Sequence, residues 1–175
     1  MTGTPATSEY VRFRVGADQG AAERFAALEG LFAVLAAFKA EQFEPIDEDD
    51  EDYDEDAEFR LADAVWLGLF PESVRANFEI DEPELIREVW RTSSIVLTPT
   101  SQTSGLRWGV FGVLESLTNA EYLLLGCERL EGGLAQWRFD AMAYPYGGVG
   151  SMVGLIEGFG FEVVEIHDGT GVWTP

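Results

Sequence analysis

Apolar and polar residues alternate near the start of the chain. Within residues 9–15, Val11, Phe13 and Val15 fall on one side, and the residues between them are polar or aromatic. A period of two is typical of a strand with one buried face. A glycine and an aspartate follow, so we expect the first strand to end there.

A helical spacing of apolar residues follows over residues 19–40. Residues three and four positions apart lie on one face of a helix. The stripe consists of Phe25, Leu28, Phe32, Leu35 and Lys39. Leu31, Val34 and Phe38 widen it. We therefore expect a long helix that is largely buried.

Weaker patterns occupy the middle of the chain. Residues 57–91 are predicted to be helical, with an interruption at Pro71. A second helix start is predicted at Asp81-Glu82-Pro83-Glu84, where the aspartate can cap free amides and proline is tolerated in the first turn. Residues 94–97 form an apolar run of strand length and residues 106–113 alternate weakly, which favours two short strands.

The last third of the chain predicts a hairpin. Residues 121–130 and 134–144 flank Glu131-Gly132-Gly133, a connection typical of two antiparallel strands. As an alternative, Thr118-Asn119-Ala120-Glu121 could open a helix by capping it. We prefer the hairpin, because the second of the two segments alternates clearly.

A helix over residues 149–159 and a final strand over residues 161–167 complete the pattern. The order of elements, with helices after the first strand and antiparallel strands later, is that of an α+β protein. We expect one domain over residues 1–175, in which a long N-terminal helix and further helices pack on a mostly antiparallel sheet. We find no internal repeat.

The charge of the chain is strongly unbalanced. It holds 32 acidic and 11 basic residues, so the formal net charge is −21 and the isoelectric point is about 4.1. A general nucleic-acid binder needs patches of lysine and arginine that displace counterions from phosphates, so this class is excluded. Adsorption to anionic lipid is disfavoured for the same reason.

About half of the net charge lies in residues 44–58, the acidic segment, which holds 11 acidic residues and no basic residue. Like charges this close repel one another within the ~8 Å Debye length at physiological salt. We expect a flexible, solvated loop inserted between helices. The candidate partner-binding residues are Asp47, Glu48, Asp49, Asp50, Glu51, Asp52, Tyr53, Asp54, Glu55 and Asp56.

Three functions fit the acidic segment. Clustered carboxylates steer a basic protein towards them, as in inhibitors and immunity proteins that offer carboxylates where a nuclease would bind phosphates. Alternatively, the segment only keeps the chain in solution. The third function is a calcium loop. Asp47, Asp49, Glu51 and Glu58 match its spacing, but Asp52 stands where the loop needs glycine, so we predict no metal site.

A second candidate site is the glycine-rich stretch at residues 145–154. It lies between a predicted strand and a predicted helix, where backbone amides can approach a phosphate. The glycine spacing departs from that of dinucleotide sites, so we predict no cofactor. The candidate ligand-site residues are Tyr146, Gly147, Gly148 and Gly150, together with Asp140, His167 and Asp168.

Zinc sites and acyl-transfer triads usually need several cysteines or histidines, and this chain has only Cys127 and His167. A Cys127/His167 dyad is the one such pairing available. Cys127 lies in an apolar run, which favours a buried, inert thiol, and we assign no catalytic residue.

The expected location is the cytoplasm, because one cysteine cannot form an internal disulfide and the opening residues lack a secretory pattern. The longest apolar run, residues 25–38, is shorter than the about 20 residues of a membrane span.

These observations favour a non-enzymatic, acidic interaction protein that binds a basic protein partner. An immunity or inhibitor protein that neutralises a toxin or nuclease is one such function. One alternative is a small enzyme or ligand-binding domain with its site at the glycine-rich stretch. The other is a structural or oligomeric protein. The sequence leaves the oligomeric state open.

Overall fold

The computed structural model describes residues 9–42, 66–78, 109–142 and 148–175. In chain order, the elements are β1 (Glu9–Arg14), α1 (Ala21–Gln42), α2 (Glu72–Arg75), α3 (Val110–Asn119), β2 (Tyr122–Arg129), a 3₁₀ turn (Glu131–Gly133), β3 (Leu134–Ala141), α4 (Gly150–Gly158), β4 (Glu162–His167) and β5 (Val172–Trp173). The predicted strand at residues 94–97 and the helix start at residue 81 lie outside the described residues.

The five strands form one antiparallel sheet in the order β2-β3-β1-β4-β5. Because β1 pairs antiparallel with both β3 and β4, those two strands run in the same direction and α4 crosses between them. Likewise β1 and β2 run in the same direction, with β3 between them. This is the ferredoxin-like, split β-α-β arrangement, extended by β5 and by the helices inserted before β2. The predicted α+β fold is confirmed.

The helices cover one face of the sheet, and the core lies between them. Val11 and Phe13 of β1 are fully buried on this inner face. On α1, the ring of Phe32 lies 5.1 Å from that of Trp137 in β3. Burying an apolar side chain of this size contributes about 1.5–3 kcal/mol, so the apolar stripe of α1 fixes the helix on the sheet. The predicted long helix is confirmed, with the bounds Ala21–Gln42.

Residues 66–78 pack against the end of α4. Two short helical stretches flank Pro71, as the interruption predicted there indicates. The ring of Phe70 lies 5.3 Å from that of Phe78 and 5.4 Å from that of Phe159. A Cβ atom at Gly158 would overlap the Phe78 ring. The absence of a side chain at Gly158 therefore allows this cluster to form.

The predicted hairpin is confirmed, because β2 pairs antiparallel with β3 across the 3₁₀ turn. Gly132 and Gly133 have positive φ angles of 71° and 74°, which glycine adopts without strain. The alternative helix opening at residue 118 is wrong, since α3 ends at Asn119.

The predicted weak strand at residues 106–113 is wrong from Val110 onwards, where α3 begins. Val110, Val113, Leu114 and Leu117 are all buried, which is the spacing of one helix face. The helical period of these apolar residues therefore outweighs the weak strand-like alternation of residues 106–113, which Gly109 and Gly112 interrupt.

We expect Gly158→Ala to destabilise the fold by about 1–3 kcal/mol, because the added methyl group forces the Phe78 ring out of its cluster. Urea unfolding measures this change. The matched control is Gly30→Ala in α1, where a Cβ atom meets nothing within 4 Å. Alanine there should stabilise the helix by about 0.5–1 kcal/mol. Equal effects of the two substitutions would contradict the packing described for Gly158.

Candidate functional site

Four carboxylates lie on elements that begin or end where β1 and β2 begin. We call them the acidic pole, and they are Glu9, Glu41, Glu121 and Asp140. Glu9 has the parity of the inner face of the sheet and Asp140 that of the outer face. Glu9 is half-buried and the other three are exposed. They belong to β1, α1, the turn before β2, and β3, so only the folded chain brings them together.

A hydrogen bond joins the end of α1 to the start of β2. The ammonium Nζ of Lys39 donates to the carbonyl oxygen of Ala120 at 2.6 Å. Lys39 precedes Glu41 by two residues and Ala120 directly precedes Glu121. The last turn of α1 and the first residues of β2 are therefore adjacent.

The end of β3 also lies beside the start of β2. The backbone amide of Met142 donates to the carbonyl oxygen of Glu121 at 2.9 Å, two residues beyond Asp140. Glu9 lies opposite Phe139, the neighbour of Asp140 in β3. These contacts complete the acidic pole from its β1 and β3 sides.

A helix dipole adds to the negative potential at this end. α1 ends beside the start of β2, and the carboxyl end of a helix carries about half a negative charge. α3 ends there too, but the Lys39 ammonium binds its last carbonyls. The acidic segment follows α1 directly in the sequence. Its residues 47–56 lie outside the described residues.

Six arginines belong to the part of the chain that the structure describes, and none of them pairs with the acidic pole. Four form ion pairs, which are Arg12–Glu165 at 2.6 Å, Arg14–Glu162 at 3.2 Å, Arg24–Asp18 at 3.0 Å and Arg138–Glu128 at 3.1 Å. Arg75 is buried, and Arg129 lies 4.2 Å from the centre of the Phe25 ring. Among the described residues, no lysine or arginine lies within ion-pair distance of the acidic pole.

Lys39 lies beneath the acidic pole with its side chain fully buried. Besides the bond to Ala120, Nζ donates to the carbonyl oxygens of Leu117 at 2.9 Å and Thr118 at 3.3 Å. It also lies 4.5 Å from the centre of the Tyr122 ring. Burial lowers the pKa of Lys39 to about 8. Its ammonium thus caps the last carbonyls of α3.

A hydrogen-bonded layer covers the outer face of the sheet, the side opposite the helices. Glu165 Oε1 accepts hydrogen bonds from Tyr10 Oη at 2.7 Å and Arg12 Nη1 at 2.6 Å. Arg12 Nη2 reaches Gln136 Oε1 at 3.3 Å, and Gln136 Nε2 donates to Glu128 Oε1 at 2.9 Å. This chain of contacts crosses four strands, although Arg12 Nε is buried without a hydrogen bond among the described residues.

Gly126 makes room for the last member of this layer. Gly126 lies opposite Arg138 in the sheet, and a Cβ atom there would come within 3.1 Å of Arg138 Nη2. The guanidinium therefore lies across β2 and forms its ion pair with Glu128.

The predicted ligand-site residues that the structure describes lie at the same end of the sheet. Tyr146 and Gly147 lie outside the described residues. Gly148 has a φ of +77°, and Gly150 begins α4. Asp140 is an exposed residue of β3, and it forms none of the described ion pairs. The two strands joined by α4 are separated by β1, unlike the adjacent parallel strands of a dinucleotide site.

His167 and Asp168 have separate surroundings. The His167 ring stacks on Tyr10 with 5.5 Å between centroids, and its Nδ1 is buried without a hydrogen bond to the described residues. The carboxylate of Asp168 accepts from Thr170 N at 2.9 Å, Thr170 Oγ1 at 2.7 Å and Trp173 Nε1 at 3.2 Å. Asp168 thereby closes the turn between β4 and β5.

The Cys127/His167 pairing is wrong. Cys127 lies in β2 opposite Trp137 and packs against the core. His167 lies in β4, three strand positions away or about 14 Å at ordinary strand spacing. Burial raises the pKa of the Cys127 thiol to about 12, so the thiol stays protonated at neutral pH.

Sequence reasoning identified Asp140 but missed Glu9, Glu41 and Glu121. These three are ordinary polar residues at element ends, and no spacing in the sequence connects them. The role of Lys39 was also missed, although its place in the apolar stripe of α1 was a usable signal. A lysine at such a position needs buried acceptors.

No family model matches the chain, and searches of curated proteins and of solved structures gave no match. Within the described ranges, no group of three histidine, cysteine or acidic residues is arranged to hold a metal ion. None of the helices in this part of the chain has the length and apolar character of a membrane span.

We expect the stability of the chain, relative to a Lys39→Met variant, to rise with pH. The folded state lowers the pKa of Lys39 from 10.5 to about 8, so between these values the unfolded state binds more protons. The increase in unfolding free energy relative to Lys39→Met should approach about 3 kcal/mol by pH 10.5 and should be absent below about pH 8. Urea unfolding of both proteins across this range measures it. If the difference in unfolding free energy between the two proteins stays constant or shrinks as pH rises, the contradicting conclusion follows. The carbonyl oxygens would then stabilise the ammonium more than burial destabilises it.

We expect Asp168→Ala to loosen the β4–β5 turn. The hydrogen bonds from Thr170 lower the pKa of Asp168 below 3.8. Its stabilising effect, about 1 kcal/mol, should therefore be complete above pH 3.8 and be lost as pH falls through the lower folded value. Hydrogen exchange of the Thr170 amide measures the change. Asp140→Ala is the control, and similar exchange in both variants would contradict the assigned role.

Proposed function

We propose that this chain is a non-enzymatic interaction protein of the cytoplasm that binds a basic protein through the acidic pole and the acidic segment. The supporting observation is that Glu9, Glu41, Glu121 and Asp140 lie at the end of the sheet where α1 ends, directly before the acidic segment in the sequence. A cationic surface would therefore meet both sets of carboxylates together.

The distribution of cations supports the same function. The described arginines are paired, buried or stacked on an aromatic ring, and Lys39 is buried. From the described arginines, an approaching basic protein would thus meet little opposing charge at the acidic pole, and the one described lysine there is buried. Electrostatic steering of this kind raises association rates by about 10- to 1000-fold at low salt.

The partner class that fits best is a toxin or nuclease with a phosphate-binding surface. Such a surface carries arginine and lysine side chains spaced to contact successive phosphates. Carboxylates presented together can occupy those side chains and block access of nucleic acid.

The test measures association with a poly-L-arginine peptide by stopped flow at low and physiological salt. One variant carries Asn or Gln at every acidic position from residue 47 to 56, and a second carries Glu9→Gln, Glu41→Gln, Glu121→Gln and Asp140→Asn. We expect each variant to slow association by about 10-fold or more at low salt, with a smaller effect at high salt.

The control variant removes four carboxylates that are exposed and lie away from the acidic pole, namely Glu23, Glu29, Glu131 and Glu157. It should slow association far less than the four-residue variant of the acidic pole. If both four-residue variants slow association equally, only net charge matters and the proposed site is wrong. Capture of a basic toxin or nuclease from cell extract by the wild type, but not by the variant of the pole, would identify the partner.

A further inference from the structure

Lys39 is the only lysine of the chain, and its ammonium is a buried positive charge beside the acidic pole. Three carbonyl oxygens, of Leu117, Thr118 and Ala120, accept its hydrogen bonds at 2.9, 3.3 and 2.6 Å. All three belong to the end of α3 or the residue after it. The ammonium is therefore held in one place by fixed acceptors.

The titratable groups around this ammonium come from every described element that packs on it. The Tyr122 ring of β2 lies 4.5 Å from Nζ. Glu41 is on the same helix, Glu115 is on α3 and Glu121 lies between α3 and β2, and these three carboxylates are exposed. Burial of the ammonium disfavours the charged form of Lys39.

A docked cationic partner would disfavour the charged form of Lys39 further. It would neutralise Glu41 and Glu121 and bring its own positive charge close to the buried ammonium. Like charges within the protein repel more strongly than in water, because the dielectric constant there is lower. Docking and the ammonium form of Lys39 therefore oppose each other.

We propose that Lys39 is a proton-linked site, at which docking of a cationic partner on the acidic pole releases the proton of the Lys39 ammonium to solvent. This inference rests on the proposed function and adds a regulatory property to the same site. Linkage is reciprocal, so loss of this proton strengthens docking by the same factor by which docking weakens proton binding. The partner should bind more tightly as pH rises.

The pKa of Lys39 in the protein without a partner supports this linkage. Burial lowers its pKa to about 8, so the proton is exchanged close to neutral pH. A solvent-exposed lysine, with a pKa of about 10.4, would stay charged in the same range.

The test follows Lys39 directly by nuclear magnetic resonance. Isotope-labelled lysine gives one side-chain signal in this chain, because it holds one lysine. The signal is followed against pH with and without a poly-L-arginine peptide, whose guanidinium groups stay charged throughout. We expect the peptide to lower the pKa of Lys39 by about 0.5, which corresponds to about threefold tighter binding above the transition than below it.

Two variants give an independent readout through affinity at about pH 7 and about pH 9.5. Lys39→Arg keeps a charged donor that does not titrate in this range, and Lys39→Met removes the charge. Both retain the α-amino group, which also titrates near pH 8. From the lower to the higher pH, the affinity of the wild type for the peptide should rise about threefold more than the affinity of either variant.

The outcomes separate the two proposals. Peptide binding with an unmoved or raised pKa of Lys39 overturns the proton linkage and leaves the acidic pole as a docking site. Absence of binding at both pH values overturns the proposed function and the linkage with it. If neither variant folds, the signal of the wild-type lysine alone decides the question.

Discussion

The antiparallel pairing of β1 with both β3 and β4 is the constraint on which the rest of the structure depends. A strand in this central position forces α4 to cross between β3 and β4, and it brings the starts of β1 and β2 to the same end as the ends of β3 and β4. The two-residue period of β1 divides its side chains between two functions. Val11 enters the core, whereas Arg12 joins the hydrogen-bonded layer of the outer face. One strand therefore organises the core, the polar face and the acidic pole.

In so acidic a chain, the placement of the few cations decides what the surface can bind. Partly exposed ion pairs such as Arg12–Glu165 contribute only about 0–1 kcal/mol to stability. Their larger effect is on the electrostatic field, because each neutralises a cation that would otherwise oppose a basic partner. The carboxylates left without a described cation at the end of α1 then act together with the carboxyl end of that helix. Charge segregation, more than net charge, distinguishes this end of the molecule from the remainder.

The sequence predicted most of the elements that one strong periodicity determines. The apolar stripe of α1 and the hairpin around Gly132 and Gly133 are of this kind, since the local pattern and the final packing agree. The start of α3 was assigned wrongly because a short apolar run fits both a strand and a helix. Of the acidic pole, only Asp140 stood out in the sequence. The other three carboxylates are brought together by strand order and by the contact of Lys39 with Ala120, which are long-range properties that no local pattern contains.

The burial of Lys39 shows how stability and recognition can share one residue. A methionine could occupy a similar volume, but it would donate no hydrogen bond to the three carbonyls at the end of α3, and unsatisfied buried acceptors cost about 1–3 kcal/mol each. An arginine would donate hydrogen bonds but would keep its charge at every pH that proteins meet. Lysine alone combines donation with a proton that burial makes removable near pH 8. In the proposed linkage, a change in the electrostatic field of the acidic pole also changes the interior charge that joins α1, α3 and β2.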